Sequence, residues 1–504
     1  MVIGVDMGTT STKAVAFGVD GRAVASAGAG YALREPAPGH AVQDPDAIVE
    51  AVLEAVAATV AQLAGRTVAG LSFSAAMHSL IGLSPQGGPL TPVVTWADTR
   101  AGAQAERLRS APGGTELHRR TGTPLHPMSP LPKLLWFREQ EPRLWEQVTH
   151  WVGVKEYVLL RLCGSLVVDH SVASATGLLN LERLCWDEEA LELAGLRPEH
   201  LAELVPGTTV LPGLLAGTAS RTGLPTDTRV VVGGSDGPLA NLGSGAVQPG
   251  VASCTIGTSG AVRVVVDRPV VDPLGRVFCY ALAPGRWVVG GAVNNGGVVL
   301  EWAGDALAPD LGPDAQEQLL ELAASVPAGS GGLLMLPYLL GERAPHWSSV
   351  PQGAYVGLSR VHRREHLVRA AVEGVCLQLA LVLQSMRAAG LEVKEIRASG
   401  GFARSPLWRQ MLSDALGMDV GFPEGHEGSS FGAALLGMQA LGLIDSIDVA
   451  EELVVVRSTA RPDPADAATY ASLLPVFADL YHALHPTFTS LRRLGPTLPT
   501  SPRS

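Results

Sequence analysis

The stretch Val2-Ile3-Gly4-Val5-Asp6-Met7-Gly8-Thr9-Thr10-Ser11-Thr12-Lys13-Ala14-Val15-Ala16-Phe17 decides the fold. It is two short apolar runs joined by a Gly-Thr-hydroxyl turn, and Asp20-Gly21 supplies a second tight turn before a third run, Ala23 to Ala27. The pattern returns far along the chain. Gly257-Thr258-Ser259-Gly260-Ala261-Val262-Arg263-Val264-Val265 again follows an apolar run and leaves in an alternating strand. Two such hairpins in separate halves point to a duplicated domain, with both turns facing one cleft.

Around these hairpins, strands and helices follow one another as in an α/β protein. Asp44 to Ala64 reads as a helix, with Asp44 near the cap and Pro45 behind it. Val68 to Phe73 is a buried strand that Leu80 to Leu83 continues, and Arg229 to Gly234 is a strand ending in a Gly-rich turn. In the second half Trp287 to Ala292 and Val393 to Ser399 read as strands. Pro313 to Val326, Arg364 to Ala389 and Ser405 to Leu416 read as helices, the second of them stopped by Gly390. Residues from Trp96 to Asn180 form a less regular elaboration that lines the cleft. The chain is expected to fray from about Pro486.

At 504 residues the chain is too long for one ordinary core. Hydrophobic residues at 46% against 17% charged argue for large buried cores and against disorder. A net charge of −11 without a basic stripe disfavours nucleic-acid partners. It leaves an anionic small molecule open, because local Arg and Lys outweigh distant charge once screening acts. Five scattered cysteines with no CxxC pair disfavour zinc and a disulfide framework. A strand-like start and apolar runs broken by Gly or charge predict no signal peptide and no membrane span, hence a cytoplasmic protein. A homodimer is compatible with the sequence.

Several short segments carry groups suited to phosphate chemistry. Gly8-Thr9-Thr10-Ser11 lets backbone N–H groups approach a polyphosphate closely and adds hydroxyl donors, with Lys13 just beyond. Asp6 is placed to hold Mg²⁺, through water, because that ion keeps much of its hydration shell. Gly257-Thr258-Ser259 is a second turn of this kind. GxxxxGK[ST] is absent, so the phosphate device is not a P-loop. Asp236, in Gly233-Gly234-Ser235-Asp236-Gly237, falls in a flexible loop after a strand, where a carboxylate could take a proton from a sugar hydroxyl. Gly400-Gly401 lies between strand and helix, where open α/β sheets bind nucleotides. Met77-His78, Asp98, Arg100 and Met128 offer matched donors and acceptors for a polyol, with Arg100 as carboxylate partner and Lys155 as the fallback. Each segment taken alone reads more readily as an ordinary turn or a satisfied structural group.

Longer segments go further. Met128-Ser129-Pro130-Leu131-Pro132-Lys133-Leu134-Leu135-Trp136-Phe137-Arg138-Glu139-Gln140 resembles one signature of the FGGY carbohydrate kinases. Gly353-Ala354-Tyr355-Val356-Gly357-Leu358, running through His366-Leu367 to Ala370-Ala371-Val372-Glu373, resembles the other. The resemblance spans Val2 to about Leu443. It implies two ribonuclease-H-like α/β domains of the actin/hexokinase/Hsp70 superfamily flanking a catalytic cleft, with ATP and Mg²⁺ as cofactors. It implies that the Asp6 and Gly257 loops are the phosphate motifs, that Gly400-Gly401 belongs to the adenosine motif, and that Asp236 is the general base. The domains implied are 1–246, carrying the sugar site, first phosphate loop and base, and 247–485, carrying the nucleotide site, with 486–504 as a tail.

Ser74-Ala75-Ala76-Met77-His78-Ser79-Leu80-Ile81, Thr121 to Leu131 and Asp169 to Leu178 resemble the gluconate kinases of that family. This implies phosphorylation of D-gluconate to 6-phospho-D-gluconate. Xylulose kinases usually carry Gln and Gly where Ala76 and Ser79 stand. A pentulose or polyol kinase is the alternative within the class, and a catalytically silent sugar or nucleotide sensor is the alternative outside it.

Overall fold

The structure, a computed structural model, describes residues 1–312, 315–423 and 428–494. Its first sheet is built from Val2–Met7 (β1), Ser11–Phe17 (β2), Ala23–Gly30 (β3), Gly70–Ala75 (β4), Val210–Leu211 (β5) and Arg229–Ser235 (β6). Their spatial order is β5-β6-β4-β1-β2-β3. β1, β2 and β3 form the antiparallel meander read from the opening segment, and β4 and β6 run parallel to β1. The second sheet contains Val251–Ile256 (β7), Gly260–Val266 (β8), Phe278–Ala283 (β9), Arg286–Val293 (β10), Glu395–Ser399 (β11), Val420–Pro423 (β12) and Val456–Ala460 (β13). Its order is β9-β10-β8-β7-β11-β12-β13. The run β10-β8-β7-β11-β12 repeats β3-β2-β1-β4-β6 strand for strand, which is the duplication expected from the two Gly-Thr turns.

Packing divides the chain differently from its linear order. Met1–Val251, Val264–Val289 and Pro423–Val455 make one compact unit; Ala252–Arg263, Gly290–Phe422 and Val456–Ser504 make the other. In the first unit, Pro45–Ala61 (α1) is capped by Asp44, whose side chain accepts from the N–H groups of Asp46 and Ala47 at 3.0 and 3.3 Å. Its face of Ile48, Val49, Val52, Leu53 and Val56 joins the strand side chains in one core. Gly428–Ala440 packs on β1 and β4, and the approach is close enough that a Cβ on Gly4 would sit 1.9 Å from the Ser430 carbonyl oxygen. Glycine is obligatory there.

In the second unit, Arg364–Ala388 has the length and apolarity of a membrane span. It is a core helix, however, 89% buried over its most apolar stretch and packed against Gly297–Leu307, Gln316–Ala324 and Pro406–Leu416.

Three local expectations change. Ile81–Leu83 pairs with His150–Val152 and does not extend β4, because His78 turns the chain at φ +68°. Asp236 lies in no flexible loop: β6 continues through Ser235, and Asp236 is the first residue of the helix Asp236–Gly243. The helix Pro464–Leu494 runs past Pro486, through two prolines; residues 495–504 of the expected tail lie outside the described residues. So do Pro313 and Asp314, the expected start of the helix found at Gln316–Ala324.

Candidate active site

In the first unit the carboxyl ends of three adjacent parallel strands, β6, β4 and β1, come together. Ser74 pairs with Asp6 on one side and Gly234 on the other, and Ala75 pairs with Ser235. Two strand spacings of about 4.8 Å therefore separate the backbones that carry Asp6 and Asp236, roughly 10 Å in all. The turn Met77-His78-Ser79 leaves from the strand between them. Open α/β sheets bind ligands at this kind of edge.

Each group at the edge is held by its neighbours. The Asp6 carboxylate accepts from Ser74 Oγ at 2.7 Å, and Lys13 faces Asp6 across the hairpin. The Gly8–Ser11 turn closes through Gly8 N–H to the Ser11 carbonyl at 3.0 Å. Its carbonyls point into the protein: Gly8 O accepts from Tyr31 Oη at 2.6 Å, Thr9 O from Gln43 Nε2 at 2.5 Å, and Thr10 O from Tyr31 N–H at 3.0 Å. With those oxygens engaged, an anion arriving from solvent meets hydroxyls and amides. Thr9 Oγ1 also accepts from Trp96 Nε1 at 2.9 Å, so this turn is fastened to the Trp96 segment. Gly8, Thr9, Tyr31, Met77 and Trp96 line a small hollow beside it. At Asp236, one carboxylate oxygen accepts from Gly237 N–H at 2.8 Å, and Ser429 Oγ donates to the Asp236 carbonyl at 3.1 Å.

The expected sugar contacts divide. His78 is buried, and its Nδ1 donates to the Ala175 carbonyl at 2.7 Å, so that nitrogen carries a proton. Met128 is buried just ahead of the helix Pro130–Gln140. Asp98 and Arg100 neutralise each other: Arg100 Nε and Nη2 reach the two carboxylate oxygens at 2.9 and 2.7 Å, and Asp98 also accepts from Ala41 N–H at 2.8 Å. Asp98 is fully buried, and the guanidinium packs over Trp136. Lys155 is likewise buried in an ion pair with Asp169, and donates to the Gly234 carbonyl at 3.1 Å. Neither cation presents itself as a ligand for a substrate carboxylate.

Lys133, inside the first signature, had no role assigned from the sequence. It is fully buried, and its ammonium group donates at 2.7 Å to both the His78 and Thr95 carbonyls. One side chain thus ties the two loops that carry the expected sugar contacts. Burial pushes its pKa down to about 7, with Asp98 opposing the shift and Arg100 adding to it. A lysine among Leu131, Leu134 and Leu135 on a buried helix was the available signal.

The second unit holds a separate cavity of about 660 Å³, of the size that takes small-molecule ligands. Gly257, Thr258, Gly297, Gly401, Phe402 and Arg404 are among its walls. The Gly257–Ser259 turn closes through Gly257 N–H to the Ser259 carbonyl at 2.8 Å, and is buttressed by Gly296 and Gly297, whose N–H groups reach the Thr258 and Gly257 carbonyls at 3.0 and 2.6 Å. Gly400 sits at φ +117°, and a Cβ there would lie 2.2 Å from the Ile256 carbonyl oxygen. Both expected nucleotide segments, Gly257–Ser259 and Gly400-Gly401, therefore meet at one cavity. Helix Gln316–Ala324, which supplies another wall, carried no such signal.

The chain belongs to the FGGY family of carbohydrate kinases: residues 1–243 match the family's N-terminal domain and residues 252–441 its C-terminal domain. It is 42% identical to a gluconokinase of Bacillus subtilis (strain 168), over 97% of both chains. Two solved structures from Lactobacillus acidophilus, a ligand-bound xylulose kinase and a gluconate kinase, each superpose with a TM-score of 0.93 at 35% identity, over 97% of this chain and 99% of theirs.

Proposed function

We propose that this chain is an ATP-dependent gluconate kinase, converting D-gluconate and ATP to 6-phospho-D-gluconate and ADP in cytoplasmic carbohydrate catabolism. The observation that carries the reading is the 42% identity to a gluconokinase across 97% of both chains. The Ala76-Met77-His78-Ser79 turn, at the sheet edge between Asp6 and Asp236, adds to it. In this reading residues 1–246 receive the sugar acid and 247–485 receive the nucleotide.

Asp236 accepts the proton of the terminal hydroxyl as that oxygen attacks the γ-phosphoryl group. The helix-start position and the Gly237 N–H contact orient the carboxylate for this role. The Gly8–Ser11 turn with Lys13, and the Gly257–Ser259 turn, hold phosphate oxygens; the cavity beside Gly400-Gly401 takes the nucleoside. Asp6, one hard carboxylate donor beside a phosphate turn, fits Mg²⁺, which needs only one or two carboxylates alongside phosphate and water. When bound, that ion offsets the phosphate charge.

The second reading, a xylulose kinase, draws on the equal superposition of the structure of that description. ADP release measured with gluconate, xylulose, ribulose and glycerol separates them. Gluconate is expected to give the highest kcat/KM; equal or faster turnover of xylulose overturns the proposal. Binding of sugar and nucleotide without ADP release from any acceptor would favour the silent sensor.

A further inference from the structure

β6 does not run smoothly into the residue that acts as base. Its register with β4 slips between Val231 and Gly234, and Gly233 sits at φ +80°. A Cβ at Gly233 would lie 1.8 Å from the Phe73 carbonyl oxygen, so the bulge admits only glycine. Bulges re-aim the residues beyond them, at the expense of regular pairing. Here the irregularity falls immediately ahead of Asp236.

Beyond the bulge the ladder resumes, with Gly234 opposite Ser74 and Ser235 opposite Ala75, and groups from another part of the unit fasten these two residues further. Lys155 donates to the Gly234 carbonyl at 3.1 Å. Ser171 Oγ lies 2.6 Å from Ser235 Oγ and accepts from Ser235 N–H at 3.2 Å. Asp169 joins the two: it is ion-paired with Lys155, and its Oδ1 accepts from Val172 N–H at 3.0 Å, capping the turn of helix that carries Ser171. Both members of the pair are fully buried. A buried ion pair is a poor device for stability alone, since well-packed apolar residues usually serve as well. It is a good device for fixing a carbonyl in one place.

We propose that Lys155, with Asp169 and Ser171, is a positioning clamp that aims the Asp236 carboxylate at the acceptor hydroxyl by holding Gly234 and Ser235 beyond the bulge. The inference rests on Asp236 being the base. It assigns Lys155 a task in turnover and none in recognising the sugar's acid group.

The test is a double-mutant cycle on the full chain, with ATP and gluconate. Lys155→Met/Asp169→Asn removes both buried charges at once and keeps an acceptor for the Val172 N–H. It is expected to lower kcat roughly 10²-fold, the cost of a misplaced catalytic group, with gluconate KM and nucleotide Kd changed less than about threefold. On an Asp236→Asn background the same pair should cost less than about threefold more, because the clamp has nothing left to aim. Ser171→Ala, a milder change, should lower kcat alone by about fivefold, near the worth of one hydrogen bond, and it carries the test if the pair variant does not fold. Turnover near wild type in the clamp variants, or a loss that multiplies in full on the Asp236→Asn background, overturns the clamp. Near wild-type turnover of Asp236→Asn itself overturns the base assignment, a distinct result.

Discussion

Replacing Lys133 with methionine should change how the protein's stability depends on pH. The lysine is fully buried and makes its two shortest hydrogen bonds to backbone carbonyls, which satisfy the ammonium group without neutralising its charge. Its pKa falls from 10.5 in an unfolded chain to about 7 in the fold, chiefly through desolvation. At about 1.4 kcal/mol for each tenfold change in proton affinity, holding the protonated side chain costs the fold about 5 kcal/mol. The sign follows from proton counting. Between about pH 7 and pH 10.5 the unfolded chain binds the proton and the folded one releases it, so stability rises with pH across that window. Below it both states are protonated and the cost is carried in full. Urea unfolding of wild type and Lys133→Met, compared at pH 7 and pH 9, should show the wild type gaining about 2 kcal/mol on the variant. The variant should also bind the sugar acid more weakly, since the His78 and Thr95 loops lose their common tether. Parallel stability curves for the two proteins would refute the reasoning.

Arg100→Ala should lower stability by roughly 3–5 kcal/mol in a denaturant titration, because Asp98 is left buried without its partner. A selective rise in gluconate KM at unchanged stability would instead restore Arg100 as the ligand of the acid group. Gly400→Ala should weaken ADP binding in calorimetry by about tenfold, or about 1.4 kcal/mol, because the new Cβ meets the Ile256 carbonyl oxygen at 2.2 Å and φ is +117°. Unchanged ADP affinity would detach that turn from the nucleotide site.

The meander at the start of the chain was legible because its alternation and turn residues are local signals, and the Gly257 copy repeated them. The core helix Arg364–Ala388 and its stop near Gly390 were legible for the same reason. Misreadings came where local chemistry had two outcomes. Asp-Gly is a common turn dipeptide, yet at Asp236-Gly237 it opens a helix, because β6 persists through Ser235 and feeds directly into α-structure. Arg100 reads from the sequence as the partner of a substrate carboxylate; in the fold it turns onto Asp98 two residues back, which no spacing rule reveals. Lys155 finds Asp169 only through tertiary packing. Lys133 was visible as a charge inside an apolar helix, but the carbonyls it serves lie about 40 and 55 residues away in sequence. Long-range pairing of this kind is what composition and periodicity leave out.

The central claim is that the carboxylate at the end of β6 takes the proton as phosphate moves to a sugar acid. Asp236→Asn keeps the side chain's size and its contact from Gly237 N–H while removing its basicity. The measurement is steady-state kcat with gluconate, alongside ADP affinity by calorimetry. The expected result is a kcat lower by about 10²-fold or more with ADP affinity unchanged. Turnover near the wild-type value, at full nucleotide affinity, would contradict the account.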